Sequence, residues 1–238
     1  MLAERKTKSY FCSDLKKHLP SKQTMWKKVK KLIYLLILAN ILFIIWGKFF
    51  NPPITLTQIG GLIQYGKLHR DYISYSEMGD QVKKAVIASE DQKFFDHNGF
   101  DMDAIQKAYE KNNAGKKLRG GSTISQQTAK NIFLWQGRSW IRKGFEAVYT
   151  FIIELVWGKD VILERYLNSI EMGQGVFGVE AASQYYFKKS SKELTKSEAA
   201  WIAAILPSPQ KYDPHHPSAY LNKKHNWIMR QMNNVILK

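Results

Sequence analysis

The hydrophobic positions of this 238-residue chain fall into two kinds of pattern. The first is a continuous apolar run over residues 32–46, which holds no charged residue and is bounded by lysines on both sides. The second begins at about residue 78 and spaces apolar residues three and four apart, as amphipathic helices do. This spacing predicts a mainly α chain with one helical domain after the apolar run. We expect helices at 78–90, 102–113, 123–135, 141–157, 160–170, 179–187, 196–206 and 219–236.

The apolar run can cross a bilayer if it extends to Phe50, since a membrane helix needs roughly 20 residues. A cleaved signal peptide would end in small residues of an Ala-x-Ala type, and none follow Trp46. We therefore predict a single transmembrane anchor at 32–50, with a buried core helix as the alternative. The preceding lysines place a basic tail, 1–31, in the cytoplasm and the domain, 51–238, outside it.

The net charge of +16 would suit a protein that binds nucleic acid. Ten of the 36 basic residues lie within 1–31, where only two acidic residues occur, so much of the excess belongs to the tail. The remaining domain is moderately basic, which favours phosphate groups or an anionic membrane surface. We expect no nucleic acid partner. The one cysteine, Cys12, excludes an intrachain disulfide.

Two stretches interrupt the helical pattern. Residues 54–76 mix glycine with β-branched and aromatic residues, and we expect a short hairpin there. Residues 173–178 match the Gly-x-Gly-x-x-Gly pattern of dinucleotide-binding loops. No apolar strand precedes them and no βαβ spacing follows, so the match does not indicate nucleotide binding. We predict a tight turn between helices instead.

The densest group of titratable and aromatic residues lies at 90–101. An apolar-periodic helix runs directly into Glu90, so we expect its carboxylate at a helix end beside phenylalanines that exclude water. Such surroundings tune a carboxyl group toward acid or base catalysis near neutral pH. The alternative is a solvated turn in which Asp101 caps the next helix and the phenylalanines pack beneath it.

A second cluster opens the helix at 123–135 and is rich in hydroxyl and amide side chains. Thr123 and Gln126 fit a capping box, and Thr123, Gln127 and Lys130 share one helix face. A polar stripe of this kind suits hydrogen bonding to a sugar or a phosphate, and a capped surface helix is the alternative. The cluster comprises Ser122, Thr123, Gln126, Gln127, Lys130 and Asn131.

The third cluster combines Arg138, Arg142 and Lys143 with Glu146, which lies on a narrow polar seam of a mainly apolar helix. A structural salt-bridge seam is one interpretation, although arginine before glutamate at i,i+4 is the weaker orientation. The other places cations and a carboxylate around a pyrophosphate, with or without a metal. Because His97 is the only histidine in the three clusters, we expect no zinc site, and magnesium stays an option.

Five stretches together resemble, in order and spacing, the motifs of the peptidoglycan glycosyltransferases, which polymerise lipid II. The stretches are 90–99, 120–131, 142–146, 162–168 and 203–209. The resemblance covers about residues 55–212. Because no transpeptidase domain follows, it is to the monofunctional, membrane-anchored members of this group.

This resemblance implies a lysozyme-like glycosyltransferase domain and an inverting transfer. The donor is a glycan on undecaprenyl pyrophosphate, and the acceptor is the 4-hydroxyl of the GlcNAc of lipid II. Glu90 is then the general base. Glu146, with Lys130, Arg138 and Lys143, supports the departing pyrophosphate together with Mg²⁺ or Mn²⁺, for which Glu146 is the candidate ligand. No organic cofactor is expected.

The resemblance also implies that Ser122, Gln126 and Gln127 position the donor and the acceptor. Asp91 is expected either to orient Glu90 or to accept a hydrogen bond at a helix end. The predicted substrate-binding residues are Asp91, Ser122, Thr123, Gln126, Gln127, Lys130, Asn131, Arg138, Arg142 and Lys143.

A bacterial inner membrane location follows from the same resemblance, with the catalytic domain in the periplasm. Exposed aromatic residues are expected to enter the bilayer, with Trp135, Trp140, Phe49 and Phe50 as candidates. Division or elongation proteins of the cell wall are further expected partners. The rival enzyme is a lysozyme-like lytic enzyme that cleaves glycan strands, which would need no pyrophosphate site.

Overall fold

The computed structural model describes residues 22–113, 121–137 and 139–238, and it divides into one unit that ends at Gly47 and a second unit, Lys48–Lys238. Helix α1, Lys22–Phe49, is long and apolar enough to be a candidate membrane span. It begins ten residues before the predicted anchor because lysine is a good helix former, so the basic segment at 27–31 continues the helix. Cys12 and most of the predicted tail lie outside the described residues.

The second unit is built largely from helices, which confirms the mainly α prediction. Each predicted helix is present, with ends that differ from the expected ones by up to five residues. The helices are α2 Leu56–Tyr65, α3 Asp80–Glu90, α4 Met102–Asn113, α5 Ile124–Phe133, α6 Trp140–Val156, α7 Lys159–Ser169, α8 Val179–Phe187, α9 Lys196–Ile205 and α10 Ala219–Gln231, with 3-10 turns at Ser191–Glu193 and Met232–Asn234.

The core has two parts, each of which fixes one side of the candidate site. Helices α3, α9 and α10 pack on one another, and α5 packs on α6 and α7. Buried alanines, among them Ala85 and Ala88 on α3 and Ala199 and Ala203 on α9, allow the first group to approach closely. Because α3 is held along its length, its last residue, Glu90, stands on a rigid support.

The prediction of a hairpin within 54–76 is wrong. Residues 56–65 form α2, which begins with a capping box between Thr55 and Gln58 and ends at Gly66 with φ +65°. The two adjacent glycines made this helix hard to predict, since glycine weakens helices. Gly61 nevertheless has a packing role, because a Cβ there would lie 2.7 Å from the ring of Phe177.

The domain also contains a small three-stranded sheet, in which the strands lie in the order β1-β3-β2. Strand β1, His69–Arg70, pairs in parallel with β3, Val176–Phe177, and β2, Glu171–Gly173, pairs with β3 in antiparallel fashion. The predicted turn at 173–178 is present, with Gly175 and Gly178 at φ +71° and +86°, but it joins two strands before α8 begins. The local sequence did not reveal the strands because they are only two or three residues long.

Candidate active site

Glu90 is the last residue of α3, and three elements hold its carboxylate. Ser89 Oγ donates a hydrogen bond to Oε1 over 3.0 Å, and Gln127 Nε2, on α5, donates to Oε2 over 3.1 Å. Lys224 Nζ, on α10, lies 3.7 Å from Oε1. The Glu90 side chain remains 16% exposed, so the oxygen atoms can reach a ligand.

Tyr166 fixes the orientation of the Gln127 amide. Its hydroxyl, fully buried on α7, donates to Gln127 Oε1 over 3.0 Å, and the amide nitrogen therefore faces Glu90. Burial raises the pKa of Tyr166 well above its ordinary value, and the charges of Glu90 and Asp91 raise it further. The hydroxyl thus stays protonated and keeps its role as a donor.

Asp91 is adjacent to Glu90 in sequence but turns into the protein. Its carboxylate accepts a hydrogen bond from the Ile124 N–H at 2.9 Å and contacts His97 Nε2 at 3.0 and 3.1 Å. Because the Gly99 N–H donates to His97 Nδ1, the proton of His97 lies on Nε2. Of the two expectations for Asp91, the structure shows the acceptor at a helix end, here the first turn of α5. Its carboxylate is therefore engaged by protein groups, and a contact with substrate stays a prediction.

Thr123 and Gln126 are likewise engaged within the protein. Thr123 Oγ1 accepts from the Gln126 N–H at 3.1 Å and donates to the Gly99 carbonyl at 2.7 Å, while Gln126 Oε1 accepts from the Thr123 N–H at 3.0 Å. This is the predicted capping box, and both side chains are buried. The oxygen atoms of both side chains are thus engaged in the cap, and contacts of these two residues with substrate stay a prediction.

Glu90 and its hydrogen-bond partner Gln127 each line a cavity. The smaller, of about 230 Å³, is lined by Glu90 together with Gly121 and Ser122. The larger, of about 430 Å³, is lined by Gln127, Lys130 and Asn131 and by residues of α2, and we call it the wide cleft. The predicted residues Ser122, Gln127, Lys130 and Asn131 thus all line one of these two cavities.

Lys130 places an unpaired positive charge at the wide cleft. Within the described ranges, its ammonium group has no ion pair or hydrogen bond. Burial lowers the pKa of Lys130, and Arg142 and Lys143 lower it further, whereas Glu146 and Glu90 oppose the shift. A partly buried cation without a partner is unfavourable until an anion binds beside it.

Glu146 sits in the predicted polar seam of α6 and is 3% exposed. Its Oε2 lies 2.8 Å from Arg142 Nη1, and its Oε1 pairs with Lys143 Nζ. The salt-bridge seam is therefore present, and Lys143 remains partly exposed. Arg138 lies outside the described residues. Among the residues that the structure places, no three His, Cys, Asp or Glu side chains gather as a metal site, and both oxygens of Glu146 already have cationic partners.

Tyr166 and Lys224 are site residues to which sequence reasoning gave no role. Tyr166 lies in the fourth of the five motifs, which is the signal that could have singled it out. Lys224 gave no such signal, because 134 residues separate it from Glu90 and only the packing of α10 on α3 joins them. Burial lowers the pKa of Lys224, while the charge of Glu90 opposes this shift.

Comparison with known families favours the polymerising interpretation over the lytic one. The sequence model of the family described as Transglycosylase matches residues 57–233. The chain belongs to the transglycosylase family. The family domain is lysozyme-like, as expected.

Relatives of this transglycosylase cover most of its length. It is 54% identical to a biosynthetic peptidoglycan transglycosylase of Mannheimia succiniciproducens over 169 residues. These residues make up 71% of this chain and 69% of the other protein. It is 45% identical to the protein of that name from Shewanella oneidensis, over 87% of this chain and 92% of the other. The corresponding protein of Ectopseudomonas mendocina is 44% identical, over 88% and 89%.

Proposed function

We propose that this transglycosylase polymerises lipid II into linear glycan strands. The observation that carries the proposal is the placement of a carboxylate, Glu90, at one cavity and an unpaired cation, Lys130, at a second, which Gln127, the hydrogen-bond partner of Glu90, also lines. An inverting displacement needs a base on one face of the reacting carbon and charge stabilisation on the other. The names of the relatives, biosynthetic peptidoglycan transglycosylases, support the same activity.

Glu90 acts as the base in the smaller cavity. The 4-hydroxyl of the acceptor GlcNAc enters beside Ser122 and passes its proton to the Glu90 carboxylate. The hydroxyl oxygen then forms a bond to the anomeric carbon of the donor glycan, and the bond from that carbon to the pyrophosphate oxygen breaks. Gln127, held by Tyr166, keeps the carboxylate aimed at the acceptor.

The wide cleft receives the departing pyrophosphate. Lys130 supplies the unpaired charge, and Lys143 and Arg142, which Glu146 holds, add to the positive field. The engaged oxygens of Glu146 do not fit a metal ion bound by protein groups alone. We therefore propose that Mg²⁺ or Mn²⁺ enters with the pyrophosphate, whose oxygens are ligands of the kind such ions prefer.

The proposed function also includes a location at a membrane. Helix α1 is a candidate anchor, and we propose that its N-terminal end is cytoplasmic and the catalytic domain periplasmic at the bacterial inner membrane. The domain also exposes large apolar side chains along α6, where Trp140 is 92% exposed, and these suit the interfacial region of a bilayer. They are Trp140, Ile141, Phe145, Val148, Phe151 and Leu155. Contacts with division or elongation proteins stay a prediction.

An assay with purified full-length protein and labelled lipid II tests the proposed activity. We expect a ladder of linear glycan products, a lower rate after EDTA and recovery on adding Mg²⁺ or Mn²⁺. Finished peptidoglycan should release no soluble fragments. Fragment release without polymer would favour the lytic enzyme. A polymerisation rate that EDTA leaves unchanged would refute only the proposed role of Mg²⁺ or Mn²⁺.

A further inference from the structure

The wall of the wide cleft holds two polar atoms that the proposed reaction does not use. Tyr65 Oη, at the end of α2, and Glu171 Oε1, on β2, are both buried, and neither has a hydrogen-bond partner within the part of the chain that the structure describes. Both residues line the cleft that contains Lys130. Buried polar groups are almost always paired in folded proteins, so two unpaired atoms on one cavity wall point to a ligand.

The chemistry of the two atoms defines what that ligand must offer. Burial raises the pKa of Tyr65, and the nearby charge of Glu171 raises it further, so the phenol remains a hydrogen-bond donor. Glu171 Oε2 already accepts from Gln210 Nε2 at 3.1 Å, which leaves Oε1 as the acceptor. Burial raises the pKa of Glu171, but hydrogen bonds from Gln210 and from the Gly175 N–H to the carboxylate oppose this shift and favour the charged, accepting form. A ligand must therefore present an acceptor to Tyr65 and a donor to Glu171 at neighbouring positions.

The remaining lining of the cleft narrows the choice. Ile170, Leu206 and Pro207 provide apolar surface. An acetamido group matches all three features, because it carries an N–H donor, a carbonyl acceptor and a methyl group. We propose that Tyr65 and Glu171 bind the 2-acetamido group of a donor-strand sugar, with its carbonyl accepting from Tyr65 and its N–H donating to Glu171.

The donor strand is favoured over the acceptor because of position. Tyr65 and Glu171 share their cavity with Lys130, which the proposed function assigns to the pyrophosphate, whereas it assigns the acceptor to the cavity lined by Ser122. This assignment rests on the proposed function. It extends that function by naming two residues that select N-acetylated sugars.

The Tyr65→Phe variant tests the inference with little risk to folding, because the hydroxyl makes no hydrogen bond within the protein. We expect kcat/KM for lipid II polymerisation to fall about tenfold while the melting temperature does not fall. Tyr220→Phe, which removes an exposed hydroxyl from α10, is the matched control and should polymerise at the wild-type rate.

Substrate analogues identify the group that is bound. Two analogues of lipid II are needed, one in which hydrogen replaces the 2-acetamido group of GlcNAc and one in which it replaces that of MurNAc. The wild-type protein should polymerise one of the two analogues about tenfold more slowly than natural lipid II. That same analogue should show no further loss with Tyr65→Phe, which tells which sugar occupies the site. If Tyr65→Phe lowers the rates of natural and both altered substrates equally, or leaves the natural rate unchanged, the inference is overturned.

A binding measurement separates this inference from the proposed function. The tetrasaccharide of GlcNAc should bind the wild-type protein, and both Tyr65→Phe and Glu171→Met should weaken that binding about tenfold, whether or not the protein polymerises lipid II. The binding is measured by calorimetry on the full chain in detergent. Equal binding by the wild type and both variants would overturn the acetamido site even if polymerisation is confirmed.

Discussion

The two adjacent carboxylates, Glu90 and Asp91, should respond to the same chemical change in opposite ways. Replacing Asp91 with asparagine removes one of two acceptor oxygens from a buried side chain. The Ile124 N–H and the His97 Nε2–H both point at that side chain, at 2.9 and 3.0 Å. An asparagine oxygen at the Oδ2 position keeps the bond from Ile124 and a 3.1 Å contact with His97, but its amide nitrogen then replaces Oδ1 and faces the His97 Nε2–H at 3.0 Å, donor against donor.

The size of the effect follows from these contacts. Losing one hydrogen bond to a charged group costs about 1.5–3 kcal/mol, and leaving a buried donor unsatisfied costs about 1–3 kcal/mol. Since the two costs overlap, we expect Asp91→Asn to lower the free energy of unfolding by about 2–5 kcal/mol. For a domain of this size, that corresponds to a melting temperature lower by about 5–15 °C.

Thermal unfolding of the full chain in detergent, followed by tryptophan fluorescence, measures this loss. The matched change is Glu90→Gln. Its remaining oxygen can still accept from Gln127, the Ser89 hydroxyl can turn to accept from the new amide, and the lost pairing with Lys224 spans 3.7 Å, so the melting temperature should fall less than in Asp91→Asn. An Asp91→Asn protein that is as stable as the wild type but has lost polymerisation would refute the scaffold role of Asp91.

Three further predictions follow from the site and the surface. Tyr166→Phe should lower kcat about tenfold with little change in KM, because the Gln127 amide can then rotate and turn its oxygen toward Glu90; an unchanged kcat would contradict this. Lys130→Met should abolish polymerisation yet raise the melting temperature. Because burial lowers the pKa of Lys130, the unfolded chain binds more protons than the folded protein at pH values between that lowered pKa and 10.5. The free energy of unfolding of the wild type should therefore rise with pH across this window. In Lys130→Met, which lacks the ammonium group, it should rise less. An equal rise in both proteins would exclude Lys130 as its source. Brominated lipids should quench Trp140 in proteoliposomes, so Trp140→Ser should lose more quenchable fluorescence than the control Trp227→Ser, and equal losses would place α6 away from the bilayer.

The parts of the fold that local sequence decides could be predicted. Helix α3 and the helices after it bury one apolar face, and that periodicity is written into consecutive residues. The capping box at Thr123 is equally local and is present as expected. Helix α2 could not be predicted, because Gly61 serves a contact with Phe177 that lies 116 residues away.

The candidate site divides in the same way. Residue type and motif order were enough to single out Glu90, Lys130 and Glu146. They could not tell that Asp91 faces the start of α5 or that Tyr166 orients the Gln127 amide. Those assignments depend on how helices pack on one another, and a side chain that fits both a cap and a ligand looks the same in sequence.

The most direct test of the central claim is the rate at which Glu90→Gln polymerises lipid II. Glutamine preserves the shape of the side chain and can keep the contact with Gln127, but it cannot accept the proton of the acceptor hydroxyl. We expect a correctly folded protein whose polymerisation rate is lower by about 10²–10⁴-fold, the usual contribution of a general base. A folded Glu90→Gln protein that polymerises lipid II at close to the wild-type rate would contradict the role of Glu90 as the base.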